Sequence, residues 1–461
     1  MKINKRYKIT VIFFLAINFV FIPFLLASDK ETPQINILLI TLDALRADHL
    51  RCYGYQRETS PNIDRLAKEG FCFLNCYAIS GSTIHAFPPL FSGQYLGVFS
   101  FDVLNKEYAN ILDKKFTTLA EYLENLNYYT AAFINSGYLR TKTGFEQGFK
   151  IYNNLIGDAK ATTEEVISFL NNYSQKQPFF IWVHYTDTHA PYIFLEKDFK
   201  IFENDKLFKK NDKILKLNPM NNSNFYVSKG YLPKKVFRKN KYSLNYYIAC
   251  YDAAISYVDF NIGRLLENVK ENTLIILTAD HGESLGEHEV YFNHEKLYDE
   301  ILHIPLIIRD NEYFKRGKRI SKAVSAIDIV PTILSRIDPD TYFLNKNKFD
   351  GLDLKKISED KYTERKYIYF YFPKVWGVRD VDKKIKYFLH KNKREELYLL
   401  PDEYNNLINN VSPVISSFRK KLRYNLEAWL KIYPIRCDIN IKKMPLDEDA
   451  KNNLRSLGYL Q

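Results

Sequence analysis

The chain has 461 residues, 46% hydrophobic and 26% charged, and its 66 Lys and Arg against 54 Asp and Glu leave a net charge of +12. That apolar content excludes a disordered chain, and the length suits one large domain with a small companion. Five cysteines (Cys52, Cys72, Cys76, Cys250 and Cys437), an odd number with no CxxC pair, exclude a disulfide scaffold and a zinc finger.

Lys2, Lys5, Arg6 and Lys8 precede an almost wholly apolar run from Ile9 to Ala27. A basic flank before such a run is an export signal, and the run's length lies between a signal-peptide core and a spanning helix. Residues 1–28 are therefore expected to be a signal peptide or an N-terminal membrane anchor. Either way the body lies outside the cytoplasm, periplasmic or extracellular, and an uncleaved anchor would tie it to the membrane.

Ile35 to Leu42 is β-branched and mostly apolar, as a buried parallel strand would be, and it delivers Asp43 at its carboxyl end. Ser60 to Gly70 reads as a helix with a Ser cap, an early Pro and a Gly stop. In Ser80 to Gly93 a cluster of small hydroxyl residues opens an apolar helix. A hydroxyl there, Thr83 or its neighbour Ser82, would be acidified beside a metal and aimed for attack. The plainer reading is that one of them caps the helix. Thr117 to Asn125 looks helical, Tyr129 to Ile134 extended, 160–173 helical and Phe179 to His184 extended, followed by the turn Thr186 to His189. The segment 193–241 holds 13 Lys and Arg against 5 Asp and Glu and reads as a basic surface insertion. No nucleic-acid module accompanies it, so no nucleic-acid partner is expected. A helix over 243–268 and a strand from Leu274 to Thr278 follow, and the strand delivers Asp280.

Alternation of strands with helical crossovers predicts an α/β fold, a doubly wound, mostly parallel sheet flanked by helices. The catalytic domain is expected over 33–338 and a small C-terminal α+β subdomain over 339–461, with strand-like pieces at Tyr367 to Phe372 and Lys384 to His390. Ligands in such folds bind at the carboxyl ends of the strands. Asp43, the Thr186 to His189 turn and Asp280-His281-Gly282-Glu283 would gather on that edge. Six of the nine histidines, at 184, 189, 281, 288, 294 and 303, fall in this part of the chain. Two carboxylates with an adjacent imidazole favour a divalent cation.

These residues sit in blocks that resemble the sulfatase family of the alkaline phosphatase superfamily. Asp43 to Leu50 with Thr59 to Asp64 matches its amino-terminal block, Thr83 to Gly93 its nucleophile segment and Tyr185 to Tyr192 its central histidine block. Thr278 to His288 is the most specific match, continued by Leu297 to Glu300 and Ile304 to Ile308, and the tail Leu454 to Tyr459 is similar as well. The resemblance implies an alkaline phosphatase-like fold and a hydrolase acting on an anionic sulfate or phosphate ester of a glycan, lipid or small molecule. It implies one divalent ion, Mn, Zn, Ca or Mg, on Asp43, Asp280 and His281, with Thr83 as nucleophile and further ligand. His189 and His294 match positions that stabilise the ester's anionic oxygens or protonate the leaving group.

Three departures qualify it. Thr83, His85 and Phe87 stand where a formylglycine sulfatase has Cys or Ser, then Pro, then Arg. Ala44 replaces a carboxylate of the usual calcium site, and His281 stands where many sulfatases have Asn. Thr-nucleophile members of the superfamily are phosphoesterases, phosphonate hydrolases or phosphotransferases. A phospho-group transferase acting on envelope lipid or glycan, or a non-catalytic protein that binds an anionic ligand, are therefore the alternatives. His85, His184, His288 and His303 are read as structural, and Arg46 and Asp48 as braces of the first loop.

Overall fold

The computed structural model describes residues 35–433, apart from 96–107, 110–111, 113, 142, 156, 206–211, 218–230, 234–235, 315 and 362–364, together with 444–445 and 448. The leader at 1–28 and the tail block at 454–459 lie outside the described residues.

Strand β1 (Asn36–Leu42) is buried along its whole length, as its run of Ile and Leu requires. It joins β2 (Phe71–Tyr77), β3 (Tyr129–Ile134), β4 (Ile151–Asn154), β5 (Phe179–Tyr185), β6 (Thr273–Ala279), β7 (His303–Arg309) and β8 (Lys318–Ser325) in one eight-stranded sheet. The order is β8-β2-β7-β6-β1-β5-β3-β4. Within it β7 runs antiparallel to both neighbours, and every other adjacent pair is parallel. The other seven strands therefore point their carboxyl ends at one edge.

Helices α1 (Pro61–Glu69), α2 (Thr83–Ser92), α3 (Leu119–Asn125), α4 (Ala159–Asn172), α5 (Glu196–Glu203), α6 (Leu244–Glu267) and α7 (Ile329–Ile337) accompany the sheet. Side chains that prefer a hydrogen bond to free amides start three of them: Thr118 forms a capping box with Glu121, Asp158 accepts from Ala161 N and Ser243 from Tyr246 N. The expected cap of α1 differs. Ser60 holds the cap position but turns its hydroxyl to Asp64 Oδ1, 3.2 Å away. Gly70 follows α1 in an extended conformation, at a place where a Cβ would lie 2.3 Å from the carbonyl oxygen of Ile308.

Within the basic segment, α5 buries Phe199 and Phe202 and leaves Lys197 and Lys200 exposed, as an amphipathic surface helix does. Beyond α7 the chain builds an antiparallel sheet of β9 (Tyr367–Phe372), β10 (Val375–Asp380), β11 (Ile385–His390) and β12 (Glu395–Leu399). Helix α8 (Pro413–Ile432) lays Leu422, Leu426 and Trp429 into the cluster that this sheet shares with Trp376, Tyr387 and Leu397. Among the described residues no helix is long and apolar enough to cross a membrane.

Candidate active site

Strands β6, β1 and β5 lie side by side and parallel, so the residues that follow them emerge together. Asp43 N donates to Tyr185 O at 2.8 Å and Asp280 N to Leu42 O at 3.4 Å, which carries the sheet one step past the strands. His281 Nε2 ends up 3.5 Å from Asp43 Oδ1, 3.5 Å from Asp280 Oδ2 and 3.3 Å from Thr83 Oγ1. The ring of His294 stacks on that of His281 with centroids 4.2 Å apart, and its Nε2 lies 3.1 Å from His189 Nε2. Thr83, Asp43, Asp280, His281, His189 and His294 thus form one connected buried cluster.

Thr83 is the first residue of α2, where the first-turn amides have no partner within the helix. Ser82 sits extended at the cap position and its side chain makes no capping bond. Gly81 is required here: a Cβ would stand 2.2 Å from His294 O, and Gly81 O accepts the His294 Nδ1 proton at 2.5 Å. Helix α2 is buried along its whole length, with Phe87 against Trp182 and His184 and with His85 against Tyr371. Burial pushes His85 down to about 3, so it is a neutral core residue.

Hydrogen bonding fixes what the cluster can hold. His281 Nδ1 donates to Gly282 O at 2.9 Å, which orients Nε2 toward two carboxylates. Asp280 Oδ2 is buried and makes no hydrogen bond. His184, read from sequence as structural, joins the cluster: one ligand atom each from Asp43, His184 and Asp280 lie within 4.8 Å of one another. Its Nδ1 meets Thr41 Oγ1 at 2.9 Å, while its Nε2 is buried without a hydrogen bond. Burial pushes His184 down to about 4, which leaves the neutral imidazole that metals require. Two carboxylates and two imidazole nitrogens that converge at a buried strand edge fit a divalent cation, and the oxygen and nitrogen set suits Mn or Zn as well as Ca or Mg. No local pattern of the sequence signals His184; the pairing of β1 with β5 sets it beside Thr41.

A profile of the sulfatase family matches residues 35–338. The chain belongs to the sulfatase family. It is an ester hydrolase of that family. It is 24% identical to the N-acetylglucosamine-6-O-sulfatase of Bacteroides thetaiotaomicron, with 88% of each chain covered. It is also 24% identical to the arylsulfatase of Clostridium perfringens, over 81% of this chain and 90% of that one. Among solved structures it is similar to the phosphonate monoester hydrolase of Agrobacterium radiobacter, with a TM-score of 0.67, 19% identity and 88% and 97% of the two chains covered. A structure solved in complex with its substrate D-glucosamine-2-N,6-O-disulfate gives a TM-score of 0.67 at 22% identity, covering 88% and 99%.

Against that family background the departures acquire structural reasons. Phe87, at the position of the formylglycine motif's Arg, is fully buried among aromatic rings. Ala44 has no carboxylate to offer a metal; it turns the backbone at φ 58° and gives its N–H to Asp280 Oδ1 at 3.3 Å. Arg46 braces the loop, reaching Asp48, Glu287 Oε1 at 2.8 Å and Glu283 O at 3.1 Å. His288 stacks between Tyr298 and Tyr404, and His303 Nε2 donates to Leu74 O, so both serve packing.

Proposed function

We propose that this chain is an exported, metal-dependent hydrolase of sulfate or phosphate esters in which Thr83 Oγ1 is the nucleophile. The observation that carries this reading is the meeting of Thr83 Oγ1 with His281 Nε2 at 3.3 Å, at the amino end of α2 and beside two carboxylates. The leader Lys2 to Ala27 supports placement outside the cytoplasm. The relatives' sulfated sugar and phosphonate ester substrates support an anionic ester of a glycan or small molecule.

Asp43, Asp280, His281 and His184 would hold the cation, which when bound supplies the positive charge that acidifies the Thr83 hydroxyl and faces the ester's oxygens. Thr83 Oγ1 forms the new bond to sulfur or phosphorus in line with the ester oxygen, and its proton passes to water. The bond to that ester oxygen breaks. His294 commits its Nδ1 proton to Gly81 O, so one proton is shared between His294 Nε2 and His189 Nε2 and is available to the departing alkoxide. Water then hydrolyses the Thr83 ester, which regenerates the hydroxyl and releases the inorganic anion. Phe87 fills the place of a guanidinium with hydrocarbon, so anion recognition falls to the imidazoles and the helix amino end.

Turnover of aryl sulfate, aryl phosphate and aryl phosphodiester by the metal-reloaded protein, beside Thr83→Ala, tests the assignment. Loss of turnover by about 10³-fold or more in the folded variant is expected. Activity that survives in Thr83→Ala overturns Thr83 as nucleophile, and tight ester binding without turnover under any metal favours a binding protein.

A further inference from the structure

Where the C-terminal sheet meets the main one lies a cleft of about 650 Å³, within the size of small-molecule sites. None of the residues of the catalytic cluster lines it. Its floor is Tyr77 and Asn75 of β2 with His303 of β7, and its walls carry Arg365, Arg379, Lys322 and Lys384 against Asp299 and Asp382. The edge of the main sheet is irregular here. The register of β8 against β2 shifts between Ile320 and Ala323, and Asn75 Nδ2 fills the gap by bonding Ser321 O at 2.5 Å.

Both arginines are fixed before any ligand arrives. Arg379 lies 4.2 Å over the Tyr77 ring and gives Nη1 to Asp299 Oδ2 at 2.7 Å. Arg365, its side chain 8% exposed, gives Nη2 to Asp328 Oδ1 at 2.5 Å. A guanidinium has five N–H donors, and these carboxylates occupy one nitrogen of each group. Arg365 Nη1 is buried and makes no hydrogen bond. Native structures rarely leave such a donor unpaired, and where they do an ion or water commonly answers it.

We propose that this cleft is a second ligand site that takes a soluble molecule bearing an oxyanion, whether phosphate, sulfate or carboxylate, between Arg365 and Arg379. Two held guanidinium forks match the paired oxygens of such a group and lose little freedom in binding it. Lys384 adds positive charge to the walls, while Lys322 is paired with Asp360. The site shares no lining residue with the catalytic cluster and does not depend on Thr83 or on the metal.

Selenate soaked into crystals of the full chain, located by anomalous scattering, and inorganic phosphate titrated calorimetrically into the metal-free protein test this site. Arg379→Gln is the first variant, since Lys386 Nζ still stands 2.7 Å from Asp299 Oδ1 to neutralise it. Lys384→Asn is the second, at a position of φ 51° where Asn is at ease. A selenium peak between the two arginines is expected, with phosphate binding weakened about tenfold or more in Arg379→Gln and less in Lys384→Asn, both variants melting as the parent does. Absence of a cleft peak overturns the proposal. So does a peak that no Arg379-dependent solution affinity accompanies, which would mean an adventitious ion only.

Discussion

Two buried polar clusters flank the first loop, and they are built on opposite rules. In the one behind the loop, Asp252 is surrounded by donors: His49 Nδ1 at 2.7 Å, Tyr55 hydroxyl at 2.8 Å and Arg57 Nη1 at 2.5 Å. In the one at the sheet edge, Asp43 and Asp280 each lie 3.5 Å from His281 Nε2, and Asp280 Oδ2 and His184 Nε2 make no hydrogen bond. Both are equally dry. The first closes its own electrostatics and serves as scaffold; the second is complete only with something added. Unsatisfied burial therefore points to chemistry better than burial of charge alone does.

If this contrast is right, substitutions in the two clusters separate activity from stability. Asp280→Asn should lower turnover by about 10³-fold or more, yet raise the melting temperature of the metal-stripped protein by relieving two facing carboxylates. Thermal melts with and without metal, beside turnover, check this, and a variant less stable without metal would break the comparison. Asp252→Ala should do the reverse. It leaves the Arg57 guanidinium without its buried partner, at a cost of about 3–5 kcal/mol in denaturant melts, while the protein that remains folded keeps its kcat. His184→Gln should weaken metal binding about 10- to 100-fold, read by competition with a chelating dye, if His184 belongs to the incomplete cluster. An unchanged affinity would return it to the packing role that its sequence context suggested.

A smaller effect sharpens the boundary between the two. Asp187, whose Oδ1 accepts from Ala159 N at 2.9 Å, is raised by burial from 3.8 to about 7. Between those values the native state holds a proton that the unfolded chain releases, so this group's contribution to stability falls as pH rises from about 4 to about 7. Asp187→Asn should therefore raise the melting point by a few degrees at pH 8, equivalent to about 1–2 kcal/mol, and by nothing near pH 4. Melting curves across that range would show it.

Much of this was legible before any coordinates. β3 runs over Tyr129–Ile134 as read, and α4, β5, α6 and β6 fall within one residue of their expected ends. Apolar runs that end abruptly in Asp mark strands plainly, and parallel topology then brings the Asp residues together, which is why Asp43, Asp280 and His281 could be expected to meet at one edge. β2 was missed because Phe71 to Tyr77 follows α1 with only Gly70 between them, and β8 because Lys318, Arg319 and Lys322 give an outer strand the look of a loop. His184 was missed for a different reason: whether a buried imidazole is satisfied depends on partners more than a hundred residues away, and no local pattern carries that information.

The reversed strand β7 has a consequence for how the site is assembled. Because β6 and β7 are hydrogen-bonded neighbours of opposite direction, the chain that departs the sheet at Asp280 must come back to the same edge at His303. His294 travels on that excursion and is held at the edge by its Nδ1 bond to Gly81 O and its stack on His281. The fold thus carries His294 on an excursion between two rungs, while Asp43, His189 and Asp280 follow strands of the frame itself.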